Sequence, residues 1–128
     1  MRIGLVGVYV DNQDKARSFY SEVLGFRVKT DAPYTEAEQW ISLVAPEEPG
    51  GTELVLHLAD EAAKAFQAAI RAAGRPSLAL VTDDCQRDYQ ALRAKGVLFT
   101  MPPTQLGYGG TDAVFEDGFG NLIDLHQD

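Results

Sequence analysis

The chain of 128 residues is poor in the residues that build covalent or metal-stapled folds: it has one cysteine, two histidines, two methionines and one tryptophan. A single thiol, Cys85, allows no internal disulfide and no Cys-rich zinc site. Positive charge is also scarce, with 11 Lys and Arg against 19 Asp and Glu, a formal net charge of −8. Such a surface repels phosphate backbones, so nucleic acid is not an expected partner. No apolar run approaches the roughly 20 residues that span a bilayer, and no membrane partner is expected. The apolar start, Met1 to Val8, gives way to Asp11, Asn12 and Asp14 without a small-residue cleavage site, which argues against a signal peptide. A cytoplasmic location is the expectation. The 45% of apolar residues suffices for a packed core and exceeds what a disordered chain carries.

Hydrophobic periodicity divides the chain into short elements. Residues 3–10 read as a β-branched strand. Asn12 is placed to cap a helix to about Leu24, with Ala16, Phe19, Tyr20, Val23 and Leu24 at helical spacing and Gly25 ending it. Extended structure follows at 26–29, 40–44 and 53–58, with the Pro- and Gly-rich stretch 46–51 as a turn. Asp60 is placed to cap a helix to Ala73, with Phe66, Ala69, Ile70 and Ala73 on one face. A strand at 78–82 precedes a helix capped by Asp83 or Asp84, in which Cys85, Tyr89 and Leu92 share a face and Gly96 is the stop. Strands are expected at 97–101, 113–116 and 122–126, with 102–110 as a long irregular loop.

This order repeats. Helix–Gly–strand junctions at Gly25 and Gly96 lie 71 residues apart, and the pattern Gly-x-x-aliphatic-x-Leu-His recurs at Gly51 and Gly120, 69 apart. Two offsets nearly in register indicate duplicated βαβββ modules, 1–58 and 75–128, joined by a connector helix over 60–73 in a single domain, 1–128. The fold class is therefore α+β: two paired βαβββ modules forming a cupped eight-stranded mixed sheet with helices outside.

Side chains alternate across a strand, so the helix side takes Val6, Val8, Val10, Leu54, Leu56, Leu78, Leu80, Ile123 and Leu125. The opposite face then collects Leu5, Tyr9, Glu53, His57, Ser77, Asp124 and His126, the mixed polar and apolar lining of a small-molecule pocket. Trp40, Tyr108, Phe115 and Phe119 are candidates for an aromatic wall. The glycines at 107, 109 and 110 read as a flexible loop, in which Tyr108 is placed for a lid contact. Cys85 reads as packing. Ser77 lacks the Gly-x-Ser-x-Gly setting of a hydrolase nucleophile.

Two stretches, Val8-Tyr9-Val10-Asp11-Asn12 through Phe19-Tyr20 to Leu24-Gly25-Phe26, and Val114-Phe115-Glu116-Asp117-Gly118-Phe119-Gly120-Asn121-Leu122-Ile123-Asp124-Leu125, resemble the vicinal oxygen chelate superfamily. Ala91-Leu92-Arg93-Ala94-Lys95-Gly96-Val97 is a third, weaker likeness. That superfamily includes glyoxalase I, extradiol dioxygenases, and fosfomycin and bleomycin resistance proteins. The resemblance implies a homodimer with two pockets, its modules paired within one chain or swapped between two. It also implies four metal-ligand positions, on the first, fourth, fifth and eighth strands. They fall on Leu5, on one of Val55, His57 or Glu53 according to the register of strand 53–58, on Ser77, and on Asp124. An aliphatic side chain cannot ligate, and a serine hydroxyl is a poor ligand for soft divalent ions. The reading that follows is a metal-free protein that binds or sequesters an organic ligand, with no cofactor favoured. Tyr9, Trp40, His57, Ser77, Tyr108, Phe115, Asp124 and His126 are its candidate ligand-binding residues. The alternative is a metal-dependent lyase, isomerase or dioxygenase with a rearranged divalent-metal site on His57 and Asp124, completed by Glu53 or His126.

Overall fold

Strands and helices alternate much as the periodicity dictates in the computed structural model, which describes residues 1–128. The order is β1 (Leu5–Val10), α1 (Gln13–Ser18), β2 (Arg27–Pro33), β3 (Gln39–Val44), β4 (Glu53–Leu58), α2 (Glu61–Ala72), β5 (Leu78–Val81), α3 (Cys85–Ala94), β6 (Phe99–Gln105), β7 (Thr111–Glu116) and β8 (Leu122–Gln127). The chain forms two compact units, Met1–Ala65 and Phe66–Asp128, called the first and second modules below.

Hydrogen bonding groups the eight strands into two mixed four-stranded sheets of one topology, β1-β4-β3-β2 and β5-β8-β7-β6. In each, the first strand runs parallel to the last and the other pairs are antiparallel. The register left open by the sequence is fixed by β1 and β4: Leu5 faces Glu53, Gly7 faces Val55 and Tyr9 faces His57. In β5 and β8, Ala79 faces Asp124 and Val81 faces His126. The first-module counterpart of Asp124 is therefore Val55, and that of His126 is His57.

Caps set the helix starts. Asn12 Oδ1 accepts from the Lys15 N–H at 2.9 Å, Asp60 Oδ1 from Ala63 at 2.8 Å and Asp84 Oδ1 from Arg87 at 2.9 Å, each satisfying an otherwise orphaned donor. Gly25 and Gly96 close α1 and α3 with φ of +88° and +90°, a left-handed conformation that glycine adopts without a Cβ penalty. The first core is built from Val8, Val10, Ala16, Tyr20, Ile41, Leu43 and Leu56. The second is built from Cys85, Ala113, Phe115, Ile123 and Leu125. There the Tyr89, Phe99 and Phe115 rings follow one another at centroid distances of 4.7 and 5.4 Å.

Four local expectations are corrected. The helix over 13–24 is not uniform: α1 passes into a π-helical turn at Phe19–Val23, in which Leu24 N–H donates to Phe19 O at 3.1 Å and so widens the coil by one residue. β2 runs on to Pro33 rather than stopping near 29. The stretch 102–105 is strand, not loop. Pro102 and Pro103 lie in β6, an edge strand, where a missing N–H is tolerated, and the ladder to β7 shifts register on either side of Met101. In α2 the buried positions are Ala63 and Gln67, while Phe66 is 59% exposed. The reason is polar: Gln67 Nε2 donates to Phe119 O at 3.2 Å and Asn121 Oδ1 at 3.1 Å.

That contact belongs to a buried polar turn between β7 and β8. Asp117 Oδ1 accepts from the N–H groups of Phe119 at 2.7 Å and Asn121 at 3.1 Å, and Asp117 Oδ2 accepts from Asn121 Nδ2 at 2.8 Å. Gly120 has φ +101°, and a Cβ there would lie 2.8 Å from Gln67 Nε2. The Asp-Gly-Phe-Gly-Asn run of the sequence is thus the chemistry of one tight turn that sets the β7–β8 register.

Candidate functional site

Alternation along β1, β3 and β4 leaves Tyr9, Trp40 and His57 on the first-module face that α1 does not cover. Their rings form a ladder. Tyr9 and His57 have centroids 5.6 Å apart, Trp40 meets His57 edge-on at 5.9 Å, and Tyr34 lies 5.5 Å from Trp40. These spacings are those of attractive aromatic pairs. Gly7 makes the ladder possible, because a Cβ at that position would stand 2.6 Å from both Cδ2 and Nε2 of His57. The imidazole therefore lies directly over the β1 backbone. Tyr9 and Tyr34 keep 42% and 62% of their surface exposed, so the ladder presents ring area to a ligand.

The other end of this face is ionic. Lys29 Nζ lies 3.3 Å from Glu53 Oε2. Between the two strands that carry them stands Ser42, fully buried, whose Oγ makes no hydrogen bond of ordinary geometry. The nearby Ser42 hydroxyl, ahead of Lys29, holds the Glu53 carboxyl below its usual value.

The second-module face carries carboxylates where the first carries rings. Asp112 and His126 are register partners on β7 and β8, and Val114 pairs with Asp124. His126 Nδ1 bonds to Asp112, and its Nε2 lies 3.0 Å from Asp128 Oδ1. Desolvation, then the neighbouring Asp112, pushes the Asp124 carboxyl from 3.8 up to about 6. His126 is raised above its ordinary value by Asp112 and then Asp128, which favour the imidazolium. Both shifts act in one direction on stability. Protonated Asp124 is preferred in the folded state, an advantage complete below its unfolded value and lost as pH rises through about 6. Imidazolium His126 likewise stabilises at acid pH and ceases to do so once pH passes its raised value. A shift of this size in Asp124 corresponds to about 3 kcal/mol at most, which solvent screening of a half-exposed group reduces to about 1 kcal/mol. The unfolding temperature is expected to fall between pH 4 and pH 7, and to fall less in Asp124→Asn; differential scanning calorimetry across that range checks it.

The remaining sequence candidates lie as follows. Ser77 is half-buried, with its Oγ 3.1 Å from Asn121 Oδ1, so its hydroxyl serves the β7–β8 turn. Tyr108 is 85% exposed at the tip of the 106–110 loop. Phe115 is fully buried on the α3 side of β7, where it packs on Phe99, and so belongs to the core rather than to the open face. Val55 and Leu122, which alternate with the helix-side residues of β4 and β8, are buried as well. Gly7, Tyr34 and Ser42 were absent from the sequence reading. Alternation places Gly7 on the correct face, but a residue without a side chain gives no signal of what lies over it.

At the four positions where the family resemblance implies metal ligands, few donors are present. Leu5 is aliphatic, Val55 rather than a histidine is the counterpart of Asp124, and Ser77 is engaged by Asn121. His57 packs between two aromatic rings.

Comparison with known proteins places this architecture. The profile of the Glyoxalase/Bleomycin resistance protein/Dioxygenase superfamily matches residues 2–125. The uncharacterized protein YurT of Bacillus subtilis (strain 168) is 42% identical over 128 residues, spanning 99% of each chain. The crystal structure of UcmS2 superposes with a TM-score of 0.83 at 31% identity, covering 98% of this chain and 97% of that one. TnmS3, an antibiotic binding protein from Streptomyces sp. CB03234, gives a TM-score of 0.78 at 29% identity, covering 99% and 95%. No helix is long and apolar enough to cross a membrane.

Proposed function

Because the chain belongs to the glyoxalase/bleomycin resistance protein/dioxygenase superfamily, we propose that it binds and sequesters a small organic molecule without a metal. The ladder Tyr9–His57–Trp40–Tyr34 carries this reading. Half-exposed rings in series suit a planar, apolar ligand, which stacks on them with little loss of side-chain entropy. The net charge of −8 favours a neutral or cationic ligand over an anion. The likeness to an antibiotic binding protein supports the same class of activity. In this reading the protein works in the cytoplasm as a homodimer with two pockets. The donor set described above supports sequestration over metal-assisted turnover.

The sole tryptophan lies in the ladder, so the site has its own optical reporter. A panel of planar antibiotics and aromatic metabolites is expected to contain compounds that quench Trp40 emission saturably. His57→Ala should weaken them about tenfold by removing a stacking partner. Quenching that is linear in concentration and unchanged in His57→Ala would sink the proposal. Calorimetric titration with Zn²⁺, Ni²⁺, Mn²⁺ and Fe²⁺ tests the enzyme alternative. Tight stoichiometric uptake that disappears in Asp124→Ala would replace sequestration with metal chemistry.

A further inference from the structure

At one end of the first-module sheet, side chains take over from the backbone. β3 and β4 pair at Leu43 with Leu54 and at Ser42 with Val55, and the pairing ends there. The same register carried on would set Trp40 opposite His57 and Gln39 opposite Leu58, yet neither pair forms. The polar groups of that last pair are satisfied otherwise. Gln39 N–H donates to Gln13 Oε1 at 3.0 Å, and Gln39 O accepts from Gln13 Nε2 at 2.8 Å. The same Nε2 donates to Leu56 O at 2.9 Å, so one carboxamide spans both strands. Leu58 N–H donates to Glu38 Oε1 at 2.8 Å.

Both side chains are placed for this by local structure. Gln13 follows the cap Asn12 as the first residue of α1 and turns inward, only 8% exposed. A carboxamide has one acceptor oxygen and two N–H donors, and Gln13 uses all three functions. Glu38 closes the turn between β2 and β3, where its carbonyl accepts from the N–H groups of Tyr34 at 3.1 Å and Thr35 at 2.9 Å. Its carboxylate therefore ties the turn that carries Tyr34 to the end of the strand that carries His57. The backbone groups held by the two side chains belong to Gln39, Leu56 and Leu58, the chain neighbours of Trp40 and His57.

We infer that Gln13 and Glu38 are positioning residues of the aromatic ladder: they stand in for the last rungs between β3 and β4 and set the gap between Trp40 and His57, and with it the affinity of the face for a planar molecule. Direct rungs draw neighbouring strands to about 5 Å, whereas a carboxamide bonded to both strands holds them wider. The positioning role stands on the hydrogen bonds alone, and its effect on affinity rests on the sequestration reading.

Gln13→Met keeps the length of the side chain and removes its three hydrogen bonds. Glu38→Ala, at a half-buried position, is the milder change. Asp117→Asn weakens a turn of the second module and controls for stability alone. The first measurement needs no ligand: through-space NMR cross peaks between the Trp40 and His57 rings. Their wild-type intensity pattern is expected to be lost in Gln13→Met, partly lost in Glu38→Ala and kept in Asp117→Asn. The second follows 9-aminoacridine, a planar cation, by the indole N–H resonance of the sole tryptophan. Its affinity should fall about tenfold in Gln13→Met and stay unchanged in Asp117→Asn. Wild-type cross peaks in both Gln13→Met and Glu38→Ala would overturn the inference, as would their equal loss in Asp117→Asn. Altered cross peaks with wild-type affinity would overturn the link to binding. If the acridine leaves the wild-type indole unmoved, the sequestration reading loses support while the cross peaks still decide the positioning role. If Gln13→Met does not fold, Glu38→Ala decides it by the same criteria.

Discussion

Replacing Asp117 with alanine is expected to destabilise the protein by about 3–4 kcal/mol, because buried donors lose their acceptor at an average of roughly 1 kcal/mol or more each. The side chain is 3% exposed and accepts from two backbone N–H groups and from Asn121 Nδ2. Water cannot readily replace it there. Asn121 in turn accepts from Gln67 and Ser77, so the loss spreads to α2 and to the residue preceding β5. Asp117→Asn should cost about half as much, since the amide keeps one acceptor and turns an N–H against Asn121 Nδ2. Because typical domains are stable by only about 5–15 kcal/mol, the alanine variant should show a large drop in urea midpoint by circular dichroism. A midpoint unchanged from wild type would show that the turn does not need its carboxylate.

Gly7→Ala should spare the fold and weaken binding at the ladder. The backbone of Gly7 is extended, so alanine meets no conformational penalty in its own right. Its methyl would instead stand 2.6 Å from two ring atoms of His57, which must swing off the β1 backbone. Tyr9 and Trp40 then lose the ring between them. One stacking ring lost to the ligand, at about 1 kcal/mol, predicts a loss in affinity of up to about tenfold for any compound that quenches Trp40, the same as for His57→Ala. The double variant Gly7→Ala, His57→Ala should be no worse than His57→Ala alone, because both changes act through one ring. Additive losses in that cycle would mean that Gly7 acts on the ligand and not through His57.

Much of the fold was legible because the relevant signals are local. Asn12, Asp60 and Asp84 cap helices through their own side chains, and Gly25 and Gly96 end them through backbone geometry. The shared topology of the two sheets was legible because both place glycine and Leu-His at matching registers. The errors arose where a distant contact overrode a local preference. Gln67 turned into the structure in place of Phe66 because Phe119 and Asn121 offered it acceptors. Pro102 and Pro103 read as loop because their strand neighbours only one other and needs no N–H on its outer side. At the site, alternation located the faces of Tyr9 and His57. Phe115, offered as part of an aromatic wall, is instead buried, because an aromatic at a strand position has the same pattern whether it faces a helix or solvent. Nothing in one dimension signals that an imidazole will lie over a glycine two strands' breadth from it in sequence.

The matched registers of the two sheets have an evolutionary consequence. Gly7 opposite Val55 and Ala79 opposite Asp124 are equivalent pairs that now hold different chemistries, while the helix-side positions Leu56 and Leu125 have both stayed leucine. Residues that hold the helices alternate with residues of the open face. Mutation can therefore rewrite one set while selection preserves the other. Such a scaffold can change the chemistry of its open face over successive generations, in one half at a time, without first passing through an unfolded ancestor.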